Sequence, residues 1–224
     1  MAIDYETLRD DAKVKAYINA GNNNLRALGY TDHSFAHVCK SAETASFILA
    51  QLGYPKKSVE LAKIAGLLHD IGNMINRTFH ALTGAEIARD ILESKGMAYK
   101  DIALVCSAIG NHDEDTGSPV NEICAALIVA DKSDVRRSRV QEQDMDKILL
   151  DIHDRVNYAV EKSEIDVVQT NAKPVIKLKL DIDSSITSVM DYFEIFLSRM
   201  LMCRRAAHYL GSEFELVINN LKMM

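Results

Sequence analysis

Six side chains of this sequence offer nitrogen or oxygen donors in an order that suits a metal ion: His37, the adjacent pair His69-Asp70, His80, His112 and Asp131. The pair closes the apolar run Leu67-Leu68 and is followed by Ile71-Gly72. Imidazole and carboxylate donors together suit iron, manganese, cobalt, nickel or zinc, and the absence of thiolates separates the set from structural Cys-type zinc sites. The chemistry expected is that of a catalytic metal centre. Asp70 and Asp131 carry much of the inference, because a carboxylate at the edge of an apolar helix face is costly to bury unless it is paired or coordinated.

Helices must hold these donors. Residues 5–29 read as two short helices or one bent helix, interrupted by the weak helix formers Gly21-Asn22-Asn23-Asn24. Val38, Ala42, Ala45, Ile48, Leu49 and Leu52 keep a three-to-four spacing that brings His37 to the core side from a helix's first turn. A helix starting at Ser58 carries Leu61, Ile64, Ala65 and Leu68 on one face, with His69 and Asp70 at its edge and a stop at Gly72. Three more helices are expected, over 82–95 with His80 at its start, over 101–111 delivering His112, and over 120–134 with Asp131 beside its buried stripe. Short Gly, Asn and Pro loops between them predict a mainly α fold, a helical bundle spanning residues 1–150.

After residue 150 the period changes. Val156, Tyr158 and Val160, then Ile165 and Val167, then Val175 to Ile182 alternate with polar residues and predict strands, with Thr170-Asn171-Ala172-Lys173-Pro174 as a turn. Ser184 or Ser185 caps a long amphipathic helix to about Tyr209, and a last strand follows at 214–218. Residues 151–224 thus read as a small α+β appendage of β-β-α-β order, regulatory or dimerising in role. The Met190, Phe193, Phe196, Met200 and Met202 positions read as packing on that sheet, and a homodimer formed through this region is compatible with them.

The ordered elements His37, His69-Asp70 and Asp131 resemble the HD-domain metal-dependent phosphohydrolases, over roughly residues 28–140. The resemblance implies an HD-type bundle in which His80 and His112 stand where some subfamilies bind a second metal. It implies two divalent transition ions, iron, manganese, cobalt or nickel ahead of zinc or magnesium, with Asp70 bridging them and a hydroxide held between. The implied reaction is hydrolysis of a phosphomonoester or phosphodiester in a small molecule such as a nucleotide. The chain differs from the HD-GYP phosphodiesterases: Asn73 stands where those carry Lys, and a single His112 and Gly117-Ser118-Pro119 stand for their His-His-Glu and Gly-Tyr-Pro. The same ligand pattern occurs in diiron oxygenases, and a metal-bearing nucleotide-sensing module is a third use.

Beside the catalytic Asp70, Lys132 and Arg136 are the candidates for neutralising phosphoryl charge and binding substrate, Arg136 opening the run Arg136-Arg137-Ser138-Arg139. His33 is a further substrate-pocket candidate, Arg77 a weaker one, and Asp113 and Glu114 are loop acceptors near His112. His153 and His208 receive no role. A net charge of −6 over 224 residues gives no broad basic footprint, which excludes duplex nucleic acid as a general partner and leaves a small phosphorylated substrate. Cys39, Cys106, Cys124 and Cys203 form no Cys-x-x-Cys pair and read as reduced core thiols. No basic signal segment opens the sequence and no apolar run approaches the ~20 residues of a membrane span, so a cytoplasmic location without membrane contact is expected.

Overall fold

The computed structural model describes residues 3–224, and among them it forms ten α-helices and four strands. Asp4 caps α1 (Tyr5–Asp10) and Asp11 caps α2 (Ala12–Ala27), each carboxylate accepting from backbone N–H groups of the first turn. The break in this region therefore falls at Asp11. Gly21-Asn22-Asn23-Asn24 lies inside α2, because packing on the segment after His69-Asp70 outweighs weak propensity. A Cβ at Gly21 would meet Met74 N at 3.1 Å, and Asn24 Nδ2 donates to the carbonyls of Asn73 and Met74.

The donor-bearing helices follow: α3 (Phe35–Gln51) capped by Ser34, α4 (Lys56–Leu68) starting directly after Pro55, α5 (His80–Ser94), α6 (Tyr99–Gly110) and α7 (Glu122–Lys132). Residues 123–130 are all buried, so α7 has no solvent face and becomes the central helix, packed on α3, α4 and α6. Its last turn places Asp131 in the middle of the bundle. Beside it α3 and α4 meet through small residues; a Cβ on Gly66 would lie 2.5 Å from Ala42 Cα.

The second half departs from expectation in its first element. Residues 152–159, whose alternation suggests a strand, form helix α9 (Ile152–Ala159), which follows the short α8 (Met145–Leu150). The Asp151 side chain accepts from Asp154 N to start α9, and Val156 and Ala159 share its buried side; over so few residues the two periodicities coincide. Then come β1 (Val160–Val168), β2 (Val175–Ile182), α10 (Val189–Tyr209), β3 (Glu213–Ile218) and a two-residue β4 (Leu221–Lys222). Ser188, four residues past the first candidate cap, starts α10 in a capping box with Asp191. The sheet order is β1-β2-β3-β4, antiparallel except for the parallel β2–β3 pair that α10 connects. Helix α10 packs on both β3 and α7, and β1 touches α3, so the sheet is carried on the bundle that holds Asp131. The four cysteines are free. No helix of the described residues is long and apolar enough to cross a membrane.

Candidate metal centre

Five elements converge on one buried point. His37 comes from the first turn of α3, His69 and Asp70 from the end of α4, His80 from the start of α5, His112 from just past α6, and Asp131 from the last turn of α7. The four histidines are essentially inaccessible. Their donors fall into three overlapping groups, His37-His69-Asp70, His69-His112-Asp131 and Asp70-His80-His112, each with its ligand atoms within 4.8 Å of one another.

The orientation of each imidazole is set from behind. His37 Nδ1 donates to Asp134 Oδ2 at 2.8 Å, His69 Nδ1 to the Gly66 carbonyl at 2.8 Å, His80 Nδ1 to the Arg77 carbonyl at 3.1 Å and His112 Nδ1 to the Ile109 carbonyl at 2.6 Å. Three of these acceptors are carbonyls on the histidine's own chain segment, so local backbone geometry fixes the tautomer. All four Nε2 atoms are thereby turned to the centre, which is how outer hydrogen bonds orient metal-binding histidines. His37 Nε2 and His69 Nε2 are buried without a hydrogen-bond partner among the described residues, a costly arrangement for polar atoms that a cation would relieve.

Asp70 divides its two oxygens. Oδ2 lies 3.2 Å from His69 Nε2 and 3.5 Å from His37 Nε2, while Oδ1 faces His80 Nε2 at 3.5 Å. Asn73 holds this carboxylate, donating from Nδ2 to Asp70 Oδ1 at 2.9 Å and to its carbonyl at 3.0 Å. Asp131 divides in another way: Oδ1 faces His37 Nε2 at 3.2 Å and His69 Nε2 at 3.6 Å, and Oδ2 takes Lys132 Nζ at 2.6 Å.

The electrostatics separate the histidines into two kinds. Burial opposes charge on His69, but Asp70 and Asp131 outweigh it and lift the pKa to about 10. Burial and Arg139 oppose charge on His37, yet the carboxylates of Asp131, Asp134 and Asp70 leave it above its ordinary value. Burial holds His112 well below the ordinary value, with His69 and Lys132 adding to the effect, and it lowers His80 as well. Burial would raise Asp70 and Asp131; the adjacent imidazoles, and for Asp131 first Lys132, keep both well below the carboxylate range. The two carboxylates thus demand positive charge from their surroundings. A divalent cation would supply that charge, displacing any protons from the adjacent imidazoles. The donor set fits a first-row divalent ion.

Above the centre lies a cavity of about 270 Å³, just under the usual range of small-molecule sites. Of the residues expected to meet substrate, His33 and Lys132 line it, as does Arg77. His33 Nδ1 donates to the Thr31 carbonyl at 2.6 Å. Arg136 does not line the cavity: Asp134 takes its Nε at 2.7 Å and Ser138 Oγ takes Nη1 at 2.6 Å, so its guanidinium is already engaged. The expectation for Arg136 is corrected accordingly. Arg139 from the same run does reach the wall, but its guanidinium is spent on the Asp32 and Asp134 carbonyls.

The sequence reading missed several contributors. Asp134 and Asn73 each stand three residues after a donor, at the spacing that returns a side chain to the same helical face, and that signal was available. Asp154, Asn157, Phe196 and Arg199 line the cavity from α9 and α10, and no local pattern distinguishes them. His153, given no role, also reaches the rim, while His208 is exposed on α10 away from it.

Ribonuclease Y of Mycoplasma mycoides is 30% identical over 155 residues, covering 68% of this chain and 32% of the relative. The chain therefore spans about a third of that relative's length. Protein MJ1020 of Methanocaldococcus jannaschii, described as uncharacterized, is 28% identical over 183 residues, covering 72% of this chain and 70% of that one. The crystal structure of a predicted HD superfamily hydrolase from an uncultured Thermotogales bacterium aligns over 55% of this chain and 67% of its own, with a TM-score of 0.45 and 24% identity. The family model of the HD domain matches residues 34–159, more than half of the chain and through the end of α9. With its His and Asp donors gathered at one buried point inside that match, the chain belongs to the HD-domain family, a family that binds divalent metal.

Proposed function

We propose that this chain is a metal-dependent phosphohydrolase acting on a phosphomonoester or phosphodiester of a small, nucleotide-sized molecule, through a centre of two divalent transition ions. The observation that carries the reading is the division of Asp70, one oxygen toward His37 and His69 and the other toward His80. His37, His69, Asp70 and Asp131 would hold one ion, and Asp70, His80 and His112 the other. When bound, such ions acidify coordinated water and offset negative charge on phosphoryl oxygens.

The remaining work falls to the chain. Lys132, tied to Asp131 Oδ2 in the cavity wall, and Arg77, whose Nη1 lies 3.8 Å from Asp70 Oδ1, place fixed positive charge beside the centre, where it favours an anionic substrate and the more anionic transition state. Burial holds His33 well below the ordinary histidine pKa, and its Nδ1–H is committed to Thr31. Its Nε2 is therefore an acceptor, suited to a hydroxyl or water in the cleft. The cavity volume favours one nucleotide unit over a folded nucleic acid, and the ribonuclease name of relatives supports an ester of nucleotide type.

The test is turnover of full-length protein, reconstituted separately with iron, manganese, cobalt and nickel, on a panel of phosphomonoesters, cyclic nucleotides and nucleoside triphosphates. Release of phosphate or of a ring-opened product with at least one metal is expected. Substrate-dependent oxygen uptake by the iron form would assign the site to oxygenase chemistry instead, and metal-loaded protein that binds nucleotides without turnover would make it a sensor.

A further inference from the structure

We infer that Arg199, on the C-terminal helix, is a specificity-determining residue of the cleft that binds a phosphoryl oxygen of the substrate, with Glu114 as its positioning residue. This rests on the phosphohydrolase reading for its substrate, while its geometry stands alone. Helix α10 packs along α7, whose last turn carries Asp131 and Lys132, and that contact brings Phe196 and Arg199 into the wall of the same cavity.

The guanidinium is held on one edge and from beneath. Its Nε donates to Glu114 Oε2 at 2.8 Å, and its central carbon lies 4.7 Å from the Phe196 ring centroid, within cation–π range. Glu114 is itself fixed, its Oε1 accepting from the Ser198 hydroxyl one residue before Arg199. An arginine pinned through Nε keeps its planar double-donor edge, Nη1 and Nη2, for a second partner. Neither of those nitrogens makes a hydrogen bond among the described residues, although the side chain is only 30% exposed. Arg139 in the same wall is the contrast, with Nε, Nη1 and Nη2 all consumed by carbonyls.

A rigid guanidinium fork loses little freedom when it takes two oxygens of a phosphate, which is why arginine is favoured for planar recognition of such groups. Glu114 stands two residues after His112, so the loop that presents a metal-centre histidine also sets the aim of Arg199. The plain alternative is a surface ion pair tying α10 to that loop, an interaction that contributes little by itself.

The experiment is calorimetric titration of inorganic phosphate into metal-loaded, full-length protein, alongside steady-state kinetics on whichever phosphate ester the wild type hydrolyses. Arg199→Ala is expected to weaken phosphate binding and raise KM by about tenfold to a hundredfold, the weight of one charge-assisted hydrogen-bonding pair, with metal content per chain retained. Added guanidinium ion should recover part of that loss, which it would not do for a purely structural tie. Glu114→Gln should show a smaller loss in the same direction. Phosphate affinity and KM unaltered in Arg199→Ala would overturn the inference while leaving hydrolysis by the wild type intact; so would a loss that tracks metal loss. A wild type that binds phosphate through Arg199 yet hydrolyses no ester would instead keep the inference and refute the phosphohydrolase reading.

Discussion

Gly66→Ala tests whether the α3–α4 contact sets the metal centre. The new Cβ would lie 2.5 Å from Ala42 Cα and 2.6 Å from Ala42 N, both backbone atoms, so no side chain can swing away. Restoring the 3.4 Å at which ordinary contact begins takes about 0.9 Å of separation between the helices. His37 lies one turn before Ser41 and Ala42 on α3, and His69 lies one turn after Gly66, bound through Nδ1 to the Gly66 carbonyl. Opening the contact therefore pulls apart the two imidazoles whose Nε2 atoms share Asp70 Oδ2. Overpacking of this kind costs roughly 1–3 kcal/mol. For a chain of this size that is a fall of about 2–12 °C in Tm, at roughly 2–4 °C per kcal/mol. Constellations of this type tolerate only about 0.5 Å of displacement, so metal affinity should also fall, by about tenfold to a hundredfold as when a ligand's outer support is lost. Calorimetric melting of metal-free protein and competition against a chromophoric chelator read the two effects separately. Gly110→Ala, whose Cβ would rest 3.8 Å from Ala85 Cβ, is the matched control and should leave both within experimental scatter. A lower Tm with unchanged metal affinity in Gly66→Ala would refute the coupling of helix approach to site geometry; no change in either would refute the clash itself.

Two further outcomes are expected. Asp134→Asn removes the charge that accepts from His37 Nδ1 at 2.8 Å and should weaken metal binding by about tenfold to a hundredfold with the helical circular dichroism retained; wild-type affinity would show that His37 needs no support from behind. Asp70→Ala should abolish metal binding and turnover, whereas His80→Ala and His112→Ala should each leave about one ion per chain by elemental analysis, because Asp70 turns one oxygen to His37 and His69 and the other to His80; equal, complete loss in all three variants would indicate one cooperative site.

The parts of this molecule that could be read from sequence are those where residue type and chain spacing both carry information. His69-Asp70 at the end of an apolar stripe, His37 in a first turn and Asp131 beside a buried run each sit where the helical period puts them, and the structure gathers them with His80 and His112 around one point. The errors came where a local pattern was outweighed. Gly21-Asn22-Asn23-Asn24 stays helical because Gly21 and Asn24 serve the packing of α2 on the Asn73 turn. Residues 152–159 form a helix that Asp151 caps, and over so short a stretch the spacing of its apolar residues does not distinguish it from a strand. Arg136, selected for its place in a basic run, is neutralised by Asp134 two residues earlier, a carboxylate already committed to His37.

The cleft wall was illegible for a deeper reason. Metal ligation needs uncommon donor types, and seven histidines are few enough that their order is itself a signal. Anion recognition draws on Lys and Arg, of which the chain has 26, so being basic singles out none of them. What selects Arg199 is the packing of α10 on α7, together with a glutamate 85 residues away that fixes one edge of the guanidinium. Met200, Met202 and Cys203 are buried on the same helix, and Phe196, buried as well, lies under the arginine in the cavity wall. A helix that reads as packing for a small sheet therefore has a second duty that its hydrophobic stripe does not disclose: the stripe docks it, and docking turns a neighbouring surface residue into part of the site. The chain is then divided by element at the cleft rather than by residue number, with the metal floor drawn from α3 to α7 and the recognition wall completed by α9 and α10.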